Sequence, residues 1–279
     1  MICQRYFSDE DVLGRIKADF DFLIKRILES GFEYDLQLRG DCFNLYYKGK
    51  SLGKVSYHRR NADYRIDIHP KFVDDQIKKR FEHSKVGKNL EFVLQTKQLP
   101  AFYSKSNLKI MSKKVRQIFF QEELTFEQMI MTDNVKREDF IIIDRQIVEA
   151  RMRMDLLALV KKEGADYQFC VIEVKLGNNS EPRERIIDQI KGYVALIEKH
   201  FKECKEGYEK NFEQKKILGL FEKNKHVNNL DINIVSGVLH KLVIIGYSGL
   251  AEIMIKELKK IDPSIKIIQL KNIIDMSDC

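Results

Sequence analysis

The chain has little of what marks several large protein classes. Only 14 of its 279 residues are Gly and 4 are Pro, which excludes a collagen-like or low-complexity chain. No run approaches the roughly 20 consecutive apolar residues that span a bilayer. The N-terminus, MICQRYFSDEDVLGR, reaches acidic residues too early for a secretory signal. The five cysteines, Cys3, Cys42, Cys170, Cys204 and Cys279, are scattered and form no CxxC pair, so reduced thiols in a cytoplasmic protein are expected instead of a disulfide frame or a zinc site. The six histidines (His58, His69, His83, His200, His226, His240) make no HxH or HExxH pattern, and no GxSxG elbow is present, which removes the zincin and serine-hydrolase readings.

What is present is charge, unevenly placed. The net balance is +7. Residues 71–120 hold twelve Lys/Arg against four acids, interleaved with Phe72, Phe81, Phe92, Phe102 and Tyr103. A concentrated basic surface attracts polyanions through counterion release. A pair of solvated helix faces would have the same composition.

The first third reads as a small α+β unit. Apolar residues recur at helical spacing from Leu13 to Leu28, after a start at Ser8 and before a stop at Gly31. Strand-like runs follow at 42–47, 51–58 and 64–69, the first two joined by Lys48-Gly49-Lys50 as a hairpin. Helices are expected at 74–81 and near 89–96. Pro100 and the polar run 103–107 mark a boundary, giving domains 1–100 and 101–279. Beyond it, 108–120 and 126–131 read as helical, with Thr125 and Gln128 spaced as a capping box. Three strand runs (140–148, 151–160, 168–176) precede a helix over 183–204, a polar insertion over 205–236, and a closing strand, helix and strand at 241–247, 250–261 and 265–270. The expected class is therefore α/β, a mixed sheet flanked by helices behind a small α+β N-terminal domain.

The third of these strands, Phe169-Cys170-Val171-Ile172-Glu173-Val174-Lys175-Leu176, is apolar except for one acid and one lysine. Alternation puts Glu173 and Lys175 on one face. Charges on a strand whose neighbours favour burial must be paired or hold a metal. The preceding strand repeats the anomaly: Asp155 interrupts Met154-Asp155-Leu156-Leu157-Ala158-Leu159, and a meander turning at Gly164 brings it toward Glu173. The next helix carries Gln189 and Tyr193 at i and i+4, on one face. Further E-x-K triplets, those at 203–205 and 257–259 among them, lie in polar helical contexts and lack this setting.

Taken together, 154–159, Val171-Ile172-Glu173-Val174-Lys175 and Asp188-Gln189-Ile190-Lys191-Gly192-Tyr193 resemble the PD-(D/E)xK nuclease superfamily, and within it the RecB-like branch with its NucS-type endonucleases. The resemblance implies a restriction-endonuclease-like sheet and phosphodiester hydrolysis, with DNA as the nucleic acid and 5′-phosphate products. The family's aspartate falls on Asp155, its E-x-K on Glu173 and Lys175, and its Q-x-x-x-Y on Gln189 and Tyr193. It also implies a further helix glutamate, for which Glu127 is the leading candidate beside Glu123 and Glu149. Mg²⁺ or Mn²⁺ would be held by Asp155, Glu173 and the Val174 carbonyl. The N-terminal unit has no counterpart in this resemblance, and is assigned to substrate recognition or to forming a homodimer. A non-catalytic nucleic-acid-binding protein on the same scaffold is the alternative.

Overall fold

A computed structural model describes residues 3–31, 33–118, 122–149 and 152–271. The described residues divide into two compact units, one within 3–124 and 207–229 and the other within 125–206 and 230–271.

The first unit opens with helix α1 (Glu10–Glu29). Asp9 caps it through hydrogen bonds from the Asp11 and Val12 amides, and the stripe Leu13, Ile16, Phe20, Leu23, Ile27 is buried. Strands β1 (Tyr34–Leu38), β2 (Cys42–Tyr47), β3 (Lys50–His58) and β4 (Asp63–Ile68) follow. Lys48 (φ 44°) and Gly49 (φ 80°) both turn left-handed between β2 and β3, the geometry of a tight hairpin turn. Helix α2 (Asp75–Arg80) leads into β5 (His83–Val86) and β6 (Asn89–Leu94), and the six strands lie in the order β1-β2-β3-β4-β6-β5. The helix expected near 89–96 is thus a strand. Leu90, Phe92 and Leu94 are buried in alternation, and that period of two outweighs local propensity.

Helices α3 (Leu99–Phe102) and α4 (Lys105–Ile118) close this stretch. The boundary expected at residue 100 falls inside the unit because Leu99, Phe102, Leu108, Met111 and Val115 all join its core. Residues 207–229 belong here too. The region expected as a polar insertion is largely helix: the helix from Arg183 ends at Lys199 as α6 (Arg183–Lys199), and α7 (Phe201–Ile217) and α8 (Lys225–Asn228) follow. Tyr208 and Phe212 are buried. Gln214 holds the Phe7 backbone from both sides, accepting from its N–H at 2.7 Å and donating to its carbonyl at 2.8 Å. A helix this polar still packs because the buried Gln214 amide is paired at both ends.

The second unit contains helix α5 (Glu122–Asn134) from Thr125 onward, strands β7 (Phe140–Glu149), β8 (Met152–Glu163) and β9 (Asp166–Leu176), then α6, β10 (Asn233–Ile245), α9 (Ser248–Ile261) and β11 (Ile267–Leu270). The part of the expected second strand at Arg151 lies outside the described residues. Thr125 sits inside α5 and is not its cap. The sheet runs β11-β10-β9-β8-β7: β7, β8 and β9 form an antiparallel meander, while β10 pairs parallel to both β9 and β11. This is a mixed α/β layer. One face packs on α6 and α9 through Ile186, Ile190, Leu242, Ile244 and Met254. The other buries Leu156, Ala158, Ile172 and Val174 against Phe126, Ile130 and Met131 of α5. Gly177 ends β9 at a point of close approach, where an added Cβ would lie 2.7 Å from the Gly246 carbonyl oxygen.

Among the described residues no helix is long and apolar enough to cross a membrane. Cys42 and Cys170 are free thiols, but Cys3 and Cys204 are disulfide-bonded, which corrects the expectation of reduced thiols throughout.

Candidate active site

The second unit gathers the charged residues that its strands isolate. In β9, Ile172 and Val174 enter the core under α5. Glu173 and Lys175 therefore face the other way, beside Leu242 and Ile244 of β10, their partners in register, on the side where α6 packs. Both are enclosed: Glu173 is 3% exposed and Lys175 8%. Lys175 Nζ lies 3.0 Å from Glu173 Oε1 and 3.0 Å from Glu181 Oε2. Burial works against its charge, yet the two carboxylates outweigh it and raise its pKa above the ordinary lysine value.

Asp155 arrives from β8. The ladder between β8 and β9 ends at Leu156↔Ile172, and one residue further the Asp155 carboxylate itself accepts the Val174 N–H at 3.0 Å. The side chain takes over where the strands part, and this holds it next to Glu173. On its other flank, the β7–β8 pairs Arg145↔Leu156 and Ile147↔Met154 set Gln146 opposite Asp155.

Glu127 projects from α5 and is 2% exposed. Its Oε2 accepts from Gln146 Nε2 at 2.6 Å and Arg145 Nη2 at 3.4 Å. Arg145 is fully buried and also donates to Gln128 Oε1 at 2.7 Å. Burial, then the charge of Asp155, pushes Glu127 up to about 7. The same two causes push Glu173 up to about 8, with Glu127 adding to them against the pull of Lys175. The three acids thus sit within one another's fields, which disfavours their ionising together. Glu173 Oε2 is buried with no hydrogen-bond partner, an expensive state for a carboxylate oxygen.

Tyr193 and Gln189 share one face of α6 without doing the same thing. The Tyr193 hydroxyl donates to the Arg153 carbonyl, which ties α6 to the β8 backbone two residues before Asp155. Burial and the nearby Glu173 and Asp155 raise the Tyr193 pKa, so it stays a neutral donor. Gln189 is half-buried, and its Oε1 is enclosed with no partner.

Four neighbours went unmarked in the sequence reading. Glu181 shares Lys175 and also receives Arg185 at 3.1 Å. Arg145 donates to Glu127 and is itself held by Gln128. Gln146 has a left-handed backbone (φ 50°) inside a strand, and its side chain links Glu127 to the exposed Arg153. The one available signal was the polar triplet Asp144-Arg145-Gln146 interrupting an apolar strand.

The set can hold a hard divalent cation. Asp155, Glu173 and backbone oxygen supply oxygen donors, and the orphaned Glu173 oxygen lacks the partner a cation would provide. Among the described residues no group of three or more His, Cys, Asp and Glu side chains forms a metal cage.

No family model matches this chain, and no curated protein matches it. One solved structure aligns: an EndoMS complex with double-stranded DNA, at 11% identity over 87% of this chain and 78% of the other, with a TM-score of 0.27. Similarity at that level carries no weight for function, which rests on the site itself.

Proposed function

We propose that this chain is a divalent-metal-dependent nuclease of the PD-(D/E)xK kind, hydrolysing phosphodiester bonds with DNA as substrate. The observation that carries the proposal is the Glu173 carboxylate, buried with one oxygen on Lys175 and the other unpartnered beside Asp155. Packing alone gives no reason to enclose three acids and a lysine. A site that receives a cation and a phosphate does.

Asp155, Glu173 and the Val174 carbonyl would hold Mg²⁺ or Mn²⁺. Once bound, the ion supplies Lewis-acid polarisation of the phosphate and a more acidic water. The chain's own residues do the rest. Lys175, kept charged by Glu173 and Glu181, faces the charge that develops as water oxygen bonds to phosphorus and the P–O3′ bond breaks. Tyr193 fixes the backbone that presents Asp155. Gln189 offers an unspent amide oxygen to the attacking water or to a water at the ion.

Nicking of supercoiled plasmid tests this reading directly. Cleavage is expected with Mg²⁺ or Mn²⁺ and absent with EDTA. Lys175→Ala should lower the rate by roughly 10²–10³-fold, the effect of losing one donor to transition-state charge, while DNA binding persists. Equal cleavage by the variant would remove Lys175 from the reaction. A second reading is a binding protein without catalysis, favoured by the basic stretch 71–120, which lies in the other unit. It requires salt-sensitive nucleic-acid binding with no cleavage under any of these conditions.

A further inference from the structure

The first unit contains a cavity of about 290 Å³ walled by the end of α1, the start of β1, the end of β2 and one face of α4. Lys105, Lys109, Ser112 and Arg116 recur at helical spacing along that face, and Arg26 stands across from them on α1. Two carboxylates also line the wall, each near its own lysine: Glu29 lies 4.0 Å from Lys105, and Glu33 lies 3.1 Å from Lys48. Among the described residues, Arg26, Lys109 and Arg116 have no carboxylate within ion-pair distance.

Apart from the Tyr47 hydroxyl, the remaining neutral polar side chains of the wall are committed to the protein. Ser30 Oγ donates to the Ile27 carbonyl at 2.6 Å. Ser112 Oγ donates to the Leu108 carbonyl at 2.7 Å and meets the Tyr34 hydroxyl at 2.5 Å. What the cavity offers a ligand is therefore cationic donors. Both guanidiniums are held in place by aromatic rings, Arg26 at 5.1 Å from the Phe22 centroid and Arg116 at 6.0 Å from that of Tyr47. Arg26 also donates to the Tyr103 carbonyl. Preorganised arginines bind planar or tetrahedral oxyanions in fork geometry.

We propose that this cavity binds a phosphomonoester group, carried by a nucleotide or by the phosphorylated end of a nucleic-acid strand. Three cations without carboxylate partners match a group with a charge of about −1.5 to −2 at pH 7, not the single charge of a diester. The volume is at the small end of ligand pockets, which run from roughly 300 to 1,000 Å³, and it suits a terminal phosphate with its sugar better than a passing backbone. The basic stretch at 71–120 thereby gains a specific use in its last helix. This site does not depend on the nuclease reading.

Isothermal titration of the intact protein in EDTA, which prevents strand cleavage, tests it with three probes: a nucleoside 5′-monophosphate, a short 5′-phosphorylated single strand, and the same strand with a 5′-hydroxyl. The phosphorylated probe should bind at least about tenfold more tightly than its unphosphorylated counterpart, the weight of one charge-assisted hydrogen bond. That preference should fade below about pH 6, where the monoester loses its second charge. Binding of the mononucleotide identifies a free nucleotide as the source, and binding of the phosphorylated strand alone identifies a strand end. Lys109→Glu and Arg116→Glu, both at exposed positions, should abolish the preference while leaving Tm unchanged. The proposal is overturned if the phosphate gives no preference, or if the preference survives both substitutions.

Discussion

Glu127 is a carboxylate that the fold neutralises, and the consequence is a defined pH dependence. Its ordinary value is 4.5, and burial beside Asp155 raises it to about 7, while Glu173 rises to about 8. A raised acid binds its proton more tightly in the folded state. It therefore costs no stability below about pH 4.5, and its cost grows as pH rises to 7 and 8. Glu127→Gln removes that charge permanently. The variant should match the parent near pH 4.5 and exceed it in Tm by a growing margin up to pH 8. Mg²⁺ should stabilise the parent more at pH 8 than at pH 5, because its ligands must be ionised. Thermal scans across this range decide the matter, and a flat difference would mean that Glu127 is already ionised in the fold.

At the scale of the element, β7 and the end of β9 carry the constraints. Gln146 holds a left-handed backbone inside a strand, a cost of about 1–3 kcal/mol that persists only where its surroundings impose it. Gly normally weakens a strand relative to Ala. Here the order should invert: Gln146→Gly and Gln146→Ala lose the same amide contacts to Glu127 and Arg153, but only glycine relieves the backbone. Urea unfolding should rank the glycine variant about 1–2 kcal/mol more stable. At Gly177, even alanine would press on the Gly246 carbonyl and Ala251. Gly177→Ala should lower stability by roughly 1–3 kcal/mol and displace the segment that leads to Glu181, slowing cleavage through Lys175.

At the scale of the molecule, the units do not follow the order of the chain. Residues 207–229 complete the N-terminal core, where Leu218 joins Phe7 and Leu36 in the buried cluster. A truncated chain ending at Leu124 would expose that cluster and leave Gln37 without Lys215, which reaches it at 2.8 Å. It should unfold without a cooperative transition, whereas adding residues 207–229 back through a flexible linker should restore one, as near-ultraviolet circular dichroism during thermal melting would report.

Periodicity and isolated charges determined a good deal by themselves. Alternation in 169–176 places Glu173 and Lys175 on one face, helical spacing puts Gln189 and Tyr193 together, and the apolar stripes of α1 and α6 specify amphipathic helices, because these features depend only on local backbone repeat. Tertiary structure decided what no single segment encodes. Asp155 reaches Glu173 because two strands part at Leu156. Glu127 enters their field because α5 packs against the sheet, and Arg145, buried within an apolar run, serves as its partner. Residues 207–229 join a distant core for the same reason: burial is awarded by neighbours far apart in the chain, and local propensity yields to it.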